Sequence, residues 1–282
     1  MTGILSALVA ALGYGISDFV GGIASRRVAA LRVVIVSYPI ALVLLVALAI
    51  PMGGQLRTAA IVLGLLSGVG QAFGVWWFYA ALGSGPISVV SPLTALLVAG
   101  VPVATGLALG EQPGVLAGTG VALALLAVVL VSRDSGGGTE ATTPRFTPKV
   151  AALTVGAGVA FGLNFVILHQ VPPEAKLWPL VLGRVAANAI VVIAAAVTAN
   201  LVLERGVPMR LAVVAGVLDT VANVATLIAL QSSMLSLAGV LIALYPAATV
   251  LLAIAVLGER VSRLQALGMV LALGSVAMIA AG

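Results

Sequence analysis

Long apolar runs separated by short polar turns set the pattern of this chain. Ten runs of about 20 residues can be marked, and a helix of that length spans the roughly 30 Å hydrocarbon core of a bilayer. None shows the strict alternation of a membrane barrel, so the pattern predicts helices. The predicted spans cover about residues 4–22, 33–50, 59–82 and 115–131 in the first half, with a fourth opening after Pro86. In the second half they cover about residues 150–168, 177–201, 211–230, 237–257 and 264–281. Arg133 to Lys149 is the one long polar stretch; its Gly136-Gly137-Gly138 run and Thr-Pro turns read as a flexible linker. Gly106, Gly110, Gly114 and Gly118 stand four apart, a spacing that lets helix backbones approach closely. Pro113 and the polar Glu111-Gln112 pair predict a break within that series.

The pattern occurs twice. Gly85-Pro86-Ile87-Ser88 leads through an apolar run to Leu109-Gly110-Glu111, and Ser236 leads through another to Leu257-Gly258-Glu259. The two copies agree at Ala81, Leu82, Ser84 and Ser88, and again at Leu93, Ala95, Leu96 and Ala99. Acidic residues are so scarce that Glu111 matching Glu259 is the informative pair, and it indicates an internal duplication. Residues 1–132 form the first expected repeat, 133–149 the linker and 150–282 the second. Each repeat holds five spans. Five is odd, so the repeats enter the membrane in opposite orientation, the inverted plan of many secondary transporters. The expected fold is therefore an all-α integral membrane protein of ten transmembrane helices in two inverted five-helix repeats.

Composition agrees with a bilayer as the main solvent. Of 282 residues, 62% are hydrophobic and 7% charged, where a soluble domain carries about 25% charged residues. A net charge of +5 suggests nucleic acid at first sight. The basic residues are scattered among short loops, so they read as topology determinants and nucleic acid is not an expected partner. Without cysteine, disulfides and thiolate metal sites are excluded. The first span lacks a basic leader and a cleavage site and reads as a retained helix. One histidine, no His-Glu-x-x-His and no Gly-x-x-x-x-Gly-Lys stretch leave no expected cofactor or metal and argue against an enzyme.

Polar residues inside apolar spans carry the candidate chemistry, because burying a charge in a membrane is costly and needs a reason. Asp219 lies near the middle of its span, one stripe with Asn223 and Thr226. It is read either as a proton- or substrate-coupling carboxylate or as the structural partner of Arg184. Gln71 holds its place in the first repeat and shares a face with Tyr79. Tyr14 and Asp18 lie one turn apart; Asp18 either lines a cavity mouth or pairs with Arg26. Trp76 and Trp77 either stack on a solute or pack between helices, and His169, at a span end, receives no role. Glu111 and Glu259 read chiefly as groups that tie helix ends.

The Gly258-Glu259-Arg260 turn, Gly110-Glu111, the Phe161-Gly162-x-Asn164-Phe165 stretch, the isolated Arg184 and Tyr245-Pro246 together resemble EamA-type proteins of the drug/metabolite transporter superfamily. The resemblance covers nearly the whole chain. It implies a ten-helix carrier in the cell membrane, exporting small metabolites, amino acids or drugs through a central cavity. The first copy departs from the pattern, with Val98, Ser37 and Asp18 where the second has Pro246, Arg184 and Phe165. The candidate contacts are Tyr14, Asp18, Gln71, Tyr79, Arg184, Asp219, Asn223 and Tyr245, and the third, fourth, eighth and ninth spans with parts of the first, sixth and seventh are expected to line the cavity. A small-molecule substrate, lipid and protons are the expected partners; oligomeric state is not legible. A passive facilitator and a non-transporting scaffold stand as alternatives. Odd-numbered loops hold Arg26, Arg27, Arg32, Arg133, Arg145 and Lys149, with Arg205, Arg210, Arg260 and Arg263. Even-numbered loops hold only Arg57 and Lys176. The positive-inside rule then sets both termini outside, whereas the resemblance implies cytoplasmic termini.

Overall fold

A computed structural model describes residues 2–25, 27–85, 87–132, 147–249, 252 and 263–281. The described residues are helical, with short turns and no strand. The first half contains α1 (Thr2–Ser25), α2 (Ala30–Met52), α3 (Thr58–Ser84), α4 (Ile87–Ala108) and α5 (Val115–Ser132). The second contains α6 (Pro148–His169), α7 (Trp178–Val197), α8 (Val207–Ser232), α9 (Leu235–Ile242) and α10 (Arg263–Ala281). Six helices, α1–α3 and α6–α8, are long and apolar enough to cross a membrane. The other apolar stretches are shorter: Leu93–Ala108, Val115–Ala127, Leu235–Thr249 and Ala266–Ile279. The division repeats, three long helices and then two shorter stretches in each half.

Local chemistry sets the breaks. Gly110 ends α4 with φ +91°, a left-handed conformation that suits glycine. α6 opens at Pro148, earlier than the apolar run alone indicates, because the Thr147 hydroxyl accepts the Val150 N–H at 3.3 Å and proline fits the first helical turn. The expected ninth span is interrupted: α9 stops at Ile242, residues 243–244 form a turn, and helix resumes over residues 245–249. Pro246 lacks the N–H that would bond the Ile242 carbonyl. Leu244 N instead donates to Leu241 O at 3.3 Å, and Ala247 N donates to Leu244 O at 3.0 Å. Glu259, Arg260 and most of the expected linker lie outside the described residues.

The two halves interleave. α1 packs on α8 as α6 packs on α3, α2 packs on α8 as α7 packs on α3, and α5 pairs with α10. Exchanging the halves maps these contacts onto one another. Small residues make the close crossings. A Cβ on Gly13 would sit 3.0 Å from Ala222 Cβ, and one on Gly68 would sit 2.8 Å from both Ala186 Cβ and the Gly183 carbonyl carbon. Gly64, Gly68 and Gly183 thus seat α3 against α7, by the small-residue packing used in membranes. The glycine series at 106–118 has another use: Gly110 and Gly118 face open space, and Gly106 leaves room for the Glu111 carboxylate.

Loop contacts sort by parity. Arg32, after the first loop, binds Glu204 of the seventh at 2.7 Å. Gln55 N, in the second loop, donates to Glu174 O of the sixth at 2.8 Å, and the Lys176 ammonium donates to Met52 O. Glu111, in the fourth loop, accepts the N–H groups of Leu235 and Ser236 at 2.6 and 3.0 Å. Gly3, at the start of α1, abuts Ser233 beside that contact.

Candidate functional site

A cavity of about 750 Å³, counted with its open mouth, lies where the two halves meet. Its walls reflect the duplication. Tyr14, Ser17 and Asp18 of α1 face it, and so do Phe161, Asn164 and Phe165, the matching positions of α6. Gln71 and Val75 of α3 line it, as do Asp219 and Asn223, their counterparts on α8. The backbone plan is shared while the side chains differ, so the cavity is chemically lopsided. Tyr79, Val98, Ile242 and Tyr245 contribute further apolar and aromatic wall.

A closed ring of polar contacts runs along one side. The buried Arg184 guanidinium donates through Nη2 to Asp219 Oδ2 at 2.6 Å. Asn223 Nδ2 donates to Asp219 Oδ1 at 3.0 Å and to the Asp219 carbonyl at 2.8 Å. Gln71 Nε2 donates to Asn223 Oδ1 at 3.1 Å. The Tyr38 hydroxyl donates to the Gln71 carbonyl at 3.1 Å, and the Tyr38 ring lies under the Arg184 guanidinium at 4.2 Å. The ring therefore passes from α7 through α8, α3 and α2 and returns to α7, crossing between the halves. A buried charge is tolerable only when paired and hydrogen-bonded, and a cation over an aromatic face gains further attraction. Arg184 Nε and Nη1 and the oxygens Gln71 Oε1 and Asn164 Oδ1 are buried without a partner among the described residues.

Of the eight candidate contacts, Tyr14, Asp18, Gln71, Tyr79, Asp219, Asn223 and Tyr245 line the cavity. Arg184 does not; it stands behind Asp219 with its side chain 2% exposed. The seventh span is accordingly absent from the wall, and α2 takes its place through Ser37 and Tyr38. The proposed Asp18 partner, Arg26, lies outside the described residues, and Asp18 has no hydrogen-bond or ion-pair partner among those described. Trp76 and Trp77 are not in the wall: they pack near Phe73, and Trp77 abuts Gly156 of α6. His169 Nδ1 meets the Leu230 carbonyl at 2.7 Å and ties α6 to α8. Sequence reasoning passed over Tyr38. The signal for it was the Ser37-Tyr38-Pro39 stretch inside an apolar run, a second Tyr-Pro pair like Tyr245-Pro246.

The sequence profile of the EamA-like transporter family matches residues 1–133 and 148–281. The chain belongs to the EamA-like transporter family. EamA-like proteins are membrane transporters of the drug/metabolite superfamily, so this is a multi-pass membrane protein with a small-molecule substrate. A solved crystal structure, described only as that of a protein, is 19% identical over 98% of this chain and 95% of its own, with a TM-score of 0.77. At that identity the likeness shows the fold alone. Comparison with curated proteins gives no match.

Proposed function

We propose that this EamA-like protein is a secondary carrier that exports a small organic solute across the cell membrane by alternating access, driven by protons. The observation that carries the reading is the polar ring of Arg184, Asp219, Asn223, Gln71 and Tyr38 beside a cavity shared by both halves. A scaffold has no need of these groups within apolar helices, since each is costly there. A mostly apolar cavity with a few convergent polar groups suits an organic solute.

In this reading residues 1–132 and 150–282 are inverted repeats joined by the linker 133–149, and the protein has ten spans. The parity of the loop contacts supports it, because odd loops meet odd and even loops meet even. The interrupted ninth span at Tyr245-Pro246 supplies the discontinuous helix found at transporter binding sites. Coupling follows from the ion pair. Protonating Asp219 removes the charge that holds Arg184, so proton occupancy is linked to the side-chain tie between α7 and α8.

The test is solute flux in proteoliposomes across a panel of amino acids, amines and drug-like compounds, with and without a proton gradient. Gradient-stimulated flux that disappears in Asp219→Asn is expected. Gradient-driven flux unchanged in that variant would defeat the coupling role. Flux indifferent to the gradient would make the protein a facilitator, and no flux of any solute would favour the scaffold.

A further inference from the structure

We infer that the solute is an organic ammonium ion, an amine on an apolar body, whose charged head docks on Asp18. The inference rests on the carrier reading and specifies its substrate class.

Charge bookkeeping in the cavity comes first. Its wall holds two carboxylates, Asp18 and Asp219. Asp219 is matched by Arg184 at 2.6 Å, and the guanidinium is further engaged by Tyr38. No lysine, arginine or histidine is among the described lining residues. Asp18 faces the cavity with neither a cation nor a hydrogen-bond donor among the described residues, so when ionised it gives the wall a negative charge that Arg184 does not balance. In apolar surroundings an uncompensated carboxylate is costly, and a solute that brings the opposite charge recovers part of that cost. An anionic solute meets the reverse situation. The two spare nitrogens of Arg184 are buried behind the wall and do not offer it a landing point.

Two further observations point the same way. Gln71 and Asn164 line the cavity, are 6% and 3% exposed, and each holds a carboxamide oxygen without a partner among the described residues. The Gln71 amide is oriented by its Nε2 bond to Asn223, which leaves the acceptor as its free end. These oxygens are buried and meet a solute once the carboxamides turn to it; a head group that only donates, as an ammonium with three N–H bonds does, then gives them a partner. The rest of the wall is rich in aromatic rings, including Tyr14, Tyr79, Phe161, Phe165 and Tyr245. Their faces attract cations while their edges and carbons accommodate an apolar body. Tyr79 is held close to α1, where its hydroxyl abuts Gly21 one turn beyond Asp18.

The test uses three probes of similar shape: 2-phenylethylammonium, 2-phenylethanol and 3-phenylpropionate. Binding to the purified full chain in detergent micelles is measured by calorimetry, and flux of the same three in proteoliposomes. A charge-assisted contact predicts that the ammonium binds about 10- to 100-fold more tightly than the alcohol, with the carboxylate weakest. Asp18→Asn should collapse that preference, and Asp18→Glu should keep it. Equal binding of the three, preference for the carboxylate, or an ammonium preference surviving in Asp18→Asn overturns the inference. So does failure of all three to bind. The carrier reading fails separately. Ammonium binding through Asp18 without flux overturns transport and leaves the site, whereas flux confined to the alcohol or carboxylate overturns the ammonium class and leaves the carrier.

Discussion

Breaking the Arg184–Asp219 pair from its two ends should cost different amounts, because the partners are unequally buried. The Arg184 side chain is 2% exposed and that of Asp219 is 23% exposed. Asp219→Ala leaves a buried cation whose Nε, Nη1 and Nη2 have no hydrogen-bond partner among the described residues, with only the Tyr38 ring against it. Removing one partner of a buried pair costs about 3–5 kcal/mol, and this end should lie at the top of that range. Arg184→Met leaves the carboxylate, which keeps the Asn223 bond to Oδ1 and reaches the cavity. Its cost should be smaller, about 1–3 kcal/mol, the range for a buried polar group that loses a partner. The double change Arg184→Met with Asp219→Ala removes both charges. It should be less destabilised than Asp219→Ala alone, since replacing both partners avoids an orphaned charge. The assay is denaturant unfolding in mixed micelles for the three variants and the parent. Equal single costs, a larger cost for Arg184→Met, or strict additivity in the double variant would refute the reasoning.

Two other contacts give sharp expectations. Glu111→Gln keeps one acceptor for the N–H groups of Leu235 and Ser236 but loses the charge, and should cost about 1–2 kcal/mol; Glu111→Ala should cost more in the same unfolding assay, and an unchanged midpoint would remove the tie between the fourth loop and α9. Gly68→Ala places a methyl 2.8 Å from Gly183 carbon and Ala186 Cβ and should cost about 1–3 kcal/mol, whereas Gly118→Ala meets open space and should be neutral or stabilising by up to about 1 kcal/mol; equal effects at the two sites would show that α3 does not rest on α7.

The sequence by itself determined the helical class, the duplication and most of the polar inventory. In a chain that is 62% hydrophobic, an internal Asp219, Gln71 or Arg184 stands out because lipid gives it no solvation. The Leu-Gly-Glu turn was visible twice, and the structure supplies its reason in the first copy. Gly110 takes the positive φ, Gly106 makes room, and Glu111 reaches across to the start of α9. The tertiary structure alone decided which way each helix faces. These helices are apolar on nearly every side, so no amphipathic stripe marks the inward face. Rotation is set by where backbones come close, at Gly13 against Ala222 and at Gly64, Gly68 and Gly183, contacts between segments far apart in the chain. Those crossings put Tyr38 of α2 in the wall and leave Arg184 behind Asp219 rather than in the cavity. They also hold Trp76 and Trp77 out of it, while Asp18 keeps an open face. Residue types announced that a polar site existed, and helix packing determined which of them share it.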